Sequence, residues 1–196
     1  MASHAVQLRI QPLDKRPPIP VQIKIKAQAF RDMLAGGQSR FVKAVVPGAA
    51  EVAGIAIWML FDGKTAQVED GFVPAPPREQ TKEDEEALVG VDTEFRKQLG
   101  ATSNETRDEI MGDSKHWYLS LMVVDPKYQR QGIGQALLEW GLNQADAEGL
   151  EVYLESSDAG LRLYRKNGFE IVVWNELPDK QSEGGSLKWP ALKRDP

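Results

Sequence analysis

Val123-Val124-Asp125-Pro126-Lys127-Tyr128-Gln129-Arg130-Gln131-Gly132-Ile133-Gly134-Gln135-Ala136-Leu137-Leu138 is the stretch on which the fold of this 196-residue chain turns. The run from Trp117 to Val124 is apolar and predicts a strand. Asp125-Pro126 ends it, because proline lacks the N–H that a ladder needs. From Gly134 to Glu148 the pattern is that of an amphipathic helix, with Leu137, Leu138, Gly141, Leu142 and Ala145 on one side and Gly149 placed to close it. Between strand and helix lies a glycine loop. A helix start carries free N–H groups and a partial positive charge, so it favours an anion. Glycines at 132 and 134 remove β-carbons that would hold a phosphate away from those groups, and Arg130 adds a cation.

Three phosphate sites use such a loop. A Walker loop needs Gly-Lys-Ser/Thr, and here Gln135-Ala136 follows Gly134. A dinucleotide fingerprint needs a third glycine where Leu137 stands, although Glu155 supplies an acidic residue at the next strand's end. The third is a coenzyme A diphosphate.

Working outward, Glu151 to Glu155 reads as a strand and Ala159 to Asn167 as a short helix closed by Gly168. Phe169 to Trp174 and Ser186 to Ala191 are two more strands, with a loop at Gly184-Gly185 between them. Toward the amino end, Gln7 to Ile10 is a short strand, Val21 to Leu34 has helical spacing and stops at Gly36-Gly37, and Arg40 to Val46 and Val52 to Leu60 form a hairpin across Pro47-Gly48. Residues 61 to about 115 are rich in charge and proline. They predict two short helices, near Glu79–Val89 and Thr93–Gly100, in an insertion beside the sheet. The acidic run at 82–86 reads as a solvated helix face, with a lid or amine-attracting rim as its sharper alternative.

Composition narrows the chemistry. The chain has no cysteine, which excludes disulfides, thiolate metal sites and a cysteine nucleophile. It has two histidines, His4 and His116, which excludes a zinc site built on several. A net charge of −5 gives no basic surface for nucleic acid. No stretch reaches the roughly 20 apolar residues of a membrane span, and the amino terminus lacks the pattern of a signal peptide, so a cytoplasmic protein is the expectation.

The order of these features resembles the GCN5-related N-acetyltransferase (GNAT) superfamily. The residues that carry the likeness are Gln129-Arg130-Gln131-Gly132-Ile133-Gly134 after a strand ending Val-Asp-Pro, and Leu163-Tyr164-Arg165-Lys166-Asn167-Gly168-Phe169, similar to that family's Tyr-x-x-x-Gly-Phe segment. The close match spans about 117 to 175, and the front half fits by order of elements. The resemblance implies an α/β fold: one domain over 1–196, with a mixed, mostly antiparallel sheet of about seven strands flanked by helices and a splayed central pair. It implies an acetyl-CoA-dependent N-acetyltransferase working by direct attack in a ternary complex, without metal, as a monomer or homodimer. A small-molecule amine is the first expectation for the acceptor, and a protein amino terminus or lysine the second.

By the same resemblance, the coenzyme lies against the backbone of Met122, Val123 and Val124, and an N–H near Val123 polarises the thioester carbonyl. The loop Gln129, Arg130, Gln131, Gly132, Ile133, Gly134 and Gln135 takes the diphosphate, with Ser157 and Asn167 as further contacts. Tyr164 is the candidate general acid, since a phenol stays protonated at neutral pH and can donate to the leaving sulfur. The general base is less fixed, because no carboxylate lies between Trp117 and Val124. Glu155 is the first candidate, sharing a strand face with Tyr153 and Ser157, and His116 is the second. Trp58, Trp117 and Tyr118 are candidates to line an acceptor pocket. Two other readings stand beside the enzyme: an acyl-CoA-binding or sensing module, and an interaction domain using residues 61–115.

Overall fold

In this computed structural model, residues 9–12, 39–45, 51–62, 93–178 and 185–196 are described. The helix expected at 21–34, the turn at Pro47-Gly48, the helix near 79–89 and the acidic run at 82–86 lie outside them.

Among the described residues, seven strands form one sheet: β1 (Arg9–Pro12), β2 (Ser39–Val45), β3 (Val52–Asp62), β4 (Lys115–Val124), β5 (Glu151–Glu155), β6 (Glu170–Pro178) and β7 (Ser186–Arg194), in the order β1-β2-β3-β4-β5-β7-β6. Every pairing is antiparallel except β4 with β5. That one is parallel because a crossover returns the chain to the same end of the sheet, as parallel neighbours require. The crossover holds a 3-10 turn (Pro126–Tyr128) and helix α2 (Ile133–Glu148). Helix α1 (Thr93–Met111) precedes β4, and α3 (Asp158–Lys166) follows β5. The sequence places a helix at 93–100, yet α1 runs on past Gly100, where a β-carbon would point into open space, to Met111. There Gly112 turns left-handed at φ 51° and donates to the Asp108 carbonyl at 2.9 Å.

Helices α2 and α3 cover one face and α1 the other. Under α2, Leu137, Leu138, Leu142 and Ala145 bury against Ala56, Trp58, Trp117, Leu119, Val152, Leu154 and Leu192. Each large side chain fully buried here stabilises the fold by roughly 1.5–3 kcal/mol. Gly141 is required by contact: a β-carbon there would sit 2.1 Å from Trp58 Cε2. Trp58 meets Trp117 edge to face at 6.5 Å. These two tryptophans, expected as pocket candidates, are core.

Strand β4 carries one extra residue. Ile57 pairs with Leu121 and Trp58 with Leu119, so Ser120 bulges. The bulge resets the alternation of side chains. Trp117 and Leu119 before it, and Met122 and Val124 after it, all face α2.

Candidate active site

β4 and β5 part company halfway along. Their pairing runs from His116 with Glu151 to Leu119 with Leu154, and beyond that, among the described residues, β4 pairs with β3 only. The C-terminal half of β4 therefore presents an unpaired edge. Asp125 N–H donates to the Ala53 carbonyl at 2.9 Å, toward β3, and the Val123 carbonyl crowds Gly54 on the same side. Alternation then turns the backbone groups of Met122 and Val124 toward the gap. Of the three residues expected to line the coenzyme, Met122 and Val124 turn their N–H toward the gap and Val123 turns its own toward β3. The Val123 side chain is exposed.

The loop beneath this edge is held by its own side chains. Gln129 Nε2 donates to the Val124 carbonyl at 3.2 Å, and Gln131 Nε2 to the Lys127 carbonyl at 3.2 Å. Lys127 N–H donates to Asp125 Oδ1 at 2.9 Å, capping the 3-10 turn, which gives Asp125 a structural task. Arg130 and Gly132 both stand left-handed, at φ 63° and 85°. Such backbone turns N–H groups into a concave nest for anions. Gly132 is the N-cap of α2 and supplies no side-chain bond, and the first intrahelical bond is Ala136 N–H to the Gly132 carbonyl at 3.0 Å. A β-carbon on Gly132 would meet nothing within 4 Å, while one on Gly134 would make ordinary contact with Leu163 and Val124. The cradle is open, and the residues present fit a diphosphate on the backbone of residues 132 to 135.

Gln135 and Asn167 are bonded to each other. Gln135 Nε2 donates to Asn167 Oδ1 at 2.7 Å, and Asn167 Nδ2 returns a bond to Gln135 Oε1 at 3.0 Å and another to the Leu163 carbonyl at 2.8 Å. Their amides brace the start of α2 against the end of α3. Ser157 is the N-cap of α3 without a side-chain bond, and Ser156 Oγ donates to its carbonyl at 2.7 Å.

Two titratable groups gather at the end of β5. The Tyr164 ring is buried, edge to face with Phe169 at 5.8 Å and against Gly160 near Ser156. Among the described residues its hydroxyl has no partner, and burial pushes its pKa up to about 12. On the opposite face, Tyr118 donates to Glu155 Oε2 and Tyr153 to Glu155 Oε1, each at 3.0 Å. Burial raises the Glu155 pKa above the ordinary carboxylate range, and the two phenols and Arg107 pull it back in part. The same burial, with the Glu155 charge, raises both tyrosines. The Arg107 guanidinium lies 4.5 Å from the Phe61 ring centre and 5.5 Å from that of Tyr118, closing the cluster from α1.

His116 meets this cluster only through Phe61, at the end away from Glu155. It pairs with Glu151 at the start of β5, four residues or about 13 Å from Glu155. Its ring stacks on Phe61 at 5.1 Å, Nδ1 bonds the Ser114 carbonyl at 2.7 Å, and burial lowers its pKa. Sequence reasoning paired Tyr153 with Glu155 on one face but missed the clamp. Arg107 lay hidden in a segment read as an insertion.

An acetyltransferase (GNAT) domain model matches residues 83–171. The chain is 50% identical over 42 residues to the probable acyltransferase SID5 of Ajellomyces capsulatus, covering 21% of this chain and 31% of that protein. It is 30% identical over 137 residues to an uncharacterized N-acetyltransferase of Schizosaccharomyces pombe, covering 67% and 53%. The chain thus spans about a third to a half of the length of these curated relatives. In fold it is similar to the crystal structure of arylalkylamine N-acetyltransferase 2 from Aedes aegypti, with a TM-score of 0.61 at 13% identity over 96% of this chain and 98% of that one. Residues 83–171, which hold the parted parallel pair and the uncapped glycine loop at the head of α2, match the GNAT acetyltransferase domain, and the fold around them is that of such enzymes.

Proposed function

We propose that this protein transfers an acetyl group from acetyl-CoA to a primary amine, a small-molecule amine in the first instance. The observation that carries the reading is the bare edge of β4 beyond Leu119, lying beside the uncapped start of α2. One end of the site takes a diphosphate, and the other offers backbone to the arm that leads from it. Bound there, acetyl-CoA supplies an activated acyl group. The N–H of Met122 or Val124 holds the thioester oxygen, and one such fixed donor is worth roughly 3 kcal/mol to the transition state. Glu155, raised by burial and oriented by two phenols, takes a proton from the amine. Tyr164, protonated at any physiological pH, donates to the departing sulfur. The Glu155 face is walled by aromatic rings, and the chain's net charge of −5 speaks against a nucleic acid, which together favour a compact acceptor.

The test has two stages. Thermal unfolding is followed with acetyl-CoA, CoA, NAD and ATP; a ligand at about 100 times its Kd adds roughly 2.7 kcal/mol of stability. Release of free thiol is then followed across small amines and peptides. Stabilisation by acetyl-CoA and CoA with amine-dependent thiol release supports the reading. Stabilisation without any release leaves a binding module, and no stabilisation removes the coenzyme site.

A further inference from the structure

The sheet face under α1 holds a second buried polar pair. Asn175 on β6 and Trp189 on β7 are register partners, so their side chains stand side by side on one face, about 5 Å apart at Cβ. Asn175 is 6% exposed and Trp189 7%. The face is that of Glu155. Glu155 lies opposite Ala191 on β7, and Trp189 comes two residues further, about 7 Å along the strand. That step leads past the end of β5, where Ser156 N–H bonds the Pro190 carbonyl at 3.0 Å and where the gap opens.

The polar groups of this pair do not balance. Thr106 Oγ1, on α1, donates to Asn175 Oδ1 at 2.7 Å, which fixes that oxygen as an acceptor. Asn175 Nδ2 and Trp189 Nε1 are buried without any hydrogen-bond partner among the described residues. Buried N–H groups are almost always paired, and two orphans on adjacent strands ask for an acceptor. The unpaired indole N–H groups of Trp58 and Trp117 belong to the α2 face, so they are not part of this pair.

We propose that Asn175 Nδ2 and Trp189 Nε1 form the specificity site for the acceptor, holding a neutral carbonyl oxygen that the substrate carries a short chain away from its amine. The proposal rests on the acetyl-transfer reading, since it takes Glu155 as the group that meets the amine. Both orphans are donors, so the ligand atom is an acceptor. A neutral carbonyl suits the site better than a carboxylate, because the Glu155 carboxyl lies on the same face. A plain alkylamine has nothing to offer these donors, and a second ammonium would be turned away.

The experiment compares glycinamide, β-alaninamide and 4-aminobutanamide with the length-matched n-propylamine, n-butylamine and n-pentylamine, and adds a hexapeptide with a free amino terminus. Acetyl-CoA is the donor and thiol release the readout. We expect the best carbonyl-bearing amine to exceed its alkyl match at least tenfold in kcat/KM, mainly through KM. A win for a small amide or for the peptide supports the site equally and tells which source supplies the carbonyl. Trp189→Phe removes one donor. Asn175→Asp removes the other while keeping the oxygen that Thr106 bonds. Each should bring the amide-to-alkyl ratio within about threefold of unity, a readout that a merely structural residue would not move. Should the indole variant fail to fold, Asn175→Asp carries the test. Amines acetylated without regard to the carbonyl, or a ratio unmoved by the variants, overturn this inference and leave the acetyltransferase standing. No coenzyme binding and no transfer to any amine overturn both.

Discussion

The hydroxyl of Tyr118 donates to Oε2 of Glu155 at 3.0 Å, across the last paired stretch of β4 and β5. This bond favours the ionised carboxylate, while burial favours the neutral acid. Tyr118→Phe removes the bond and leaves the burial. The Glu155 pKa should rise further, and the acid limb of kcat/KM should move to higher pH. Glu155→Gln should lower kcat/KM by about 100-fold or more, as loss of a general base does. A pH–rate profile whose acid limb does not move in Tyr118→Phe would show that Glu155 is not the titrating group.

Tyr164→Phe keeps the ring that packs on Phe169 and deletes the hydroxyl, which has no partner among the described residues. Fold and coenzyme binding should therefore persist. Turnover should fall roughly 10- to 1000-fold. Single-turnover rates beside coenzyme titrations measure this, and full activity in the variant would remove Tyr164 from the chemistry.

Gly132→Ala puts a side chain on a residue at φ 85°. The left-handed backbone costs an L-residue roughly 1–2 kcal/mol. The new methyl points into open space, so it strikes no other part of the protein. It does stand where the diphosphate is proposed to rest. We expect a modest drop in unfolding free energy and a larger loss of coenzyme affinity, separable by urea unfolding without ligand and by calorimetry with CoA.

His116 gives a pH dependence of opposite character. Burial holds its pKa below the ordinary value, so the folded protein keeps it neutral while the unfolded chain takes up a proton near pH 6.5. Its contribution is whole above that value and declines as pH falls toward the folded pKa. His116→Phe removes this term from the balance and preserves a ring against Phe61. Urea midpoints measured from pH 7.5 to 5 should fall less steeply in the variant than in the parent.

Gly141→Ala tests the core. Its β-carbon would lie 2.1 Å from an indole that is itself fully buried. Overpacking of this sort costs about 1–3 kcal/mol, and the indole has no room to yield. Denaturant unfolding should show a loss at the upper end of that range.

The central part of this fold was legible because its signals are local. A proline after an apolar run, paired glycines and a leucine stripe place β4, the loop and α2 to within two residues. The candidate site was legible where backbone carries it, at Gly132 and the strand edge. It was obscure where side chains meet from distant segments. Nothing in the neighbourhood of Arg107 announces that it stacks on Phe61 and Tyr118, because that contact exists only once α1 crosses the sheet. The same holds for Thr106 and Asn175, 69 positions apart in the chain. Gly100 misled for another reason: an exposed glycine weakens a helix without ending it when the residues beyond it have something to pack on.

Ser120 gives β4 one residue more than its ladder with β3 needs. Were it lost, Leu119 and Leu121 would meet Trp58 and Ile57 without interruption, and Met122 and Val124 would keep both their face and their direction. A second loss within 121–124 has no such slack: it would slide the groups beyond it by one place, so that the amides along the open edge change identity. Comparison of relatives should therefore read a single gap at 120 as neutral to the edge and any further gap there as a functional change.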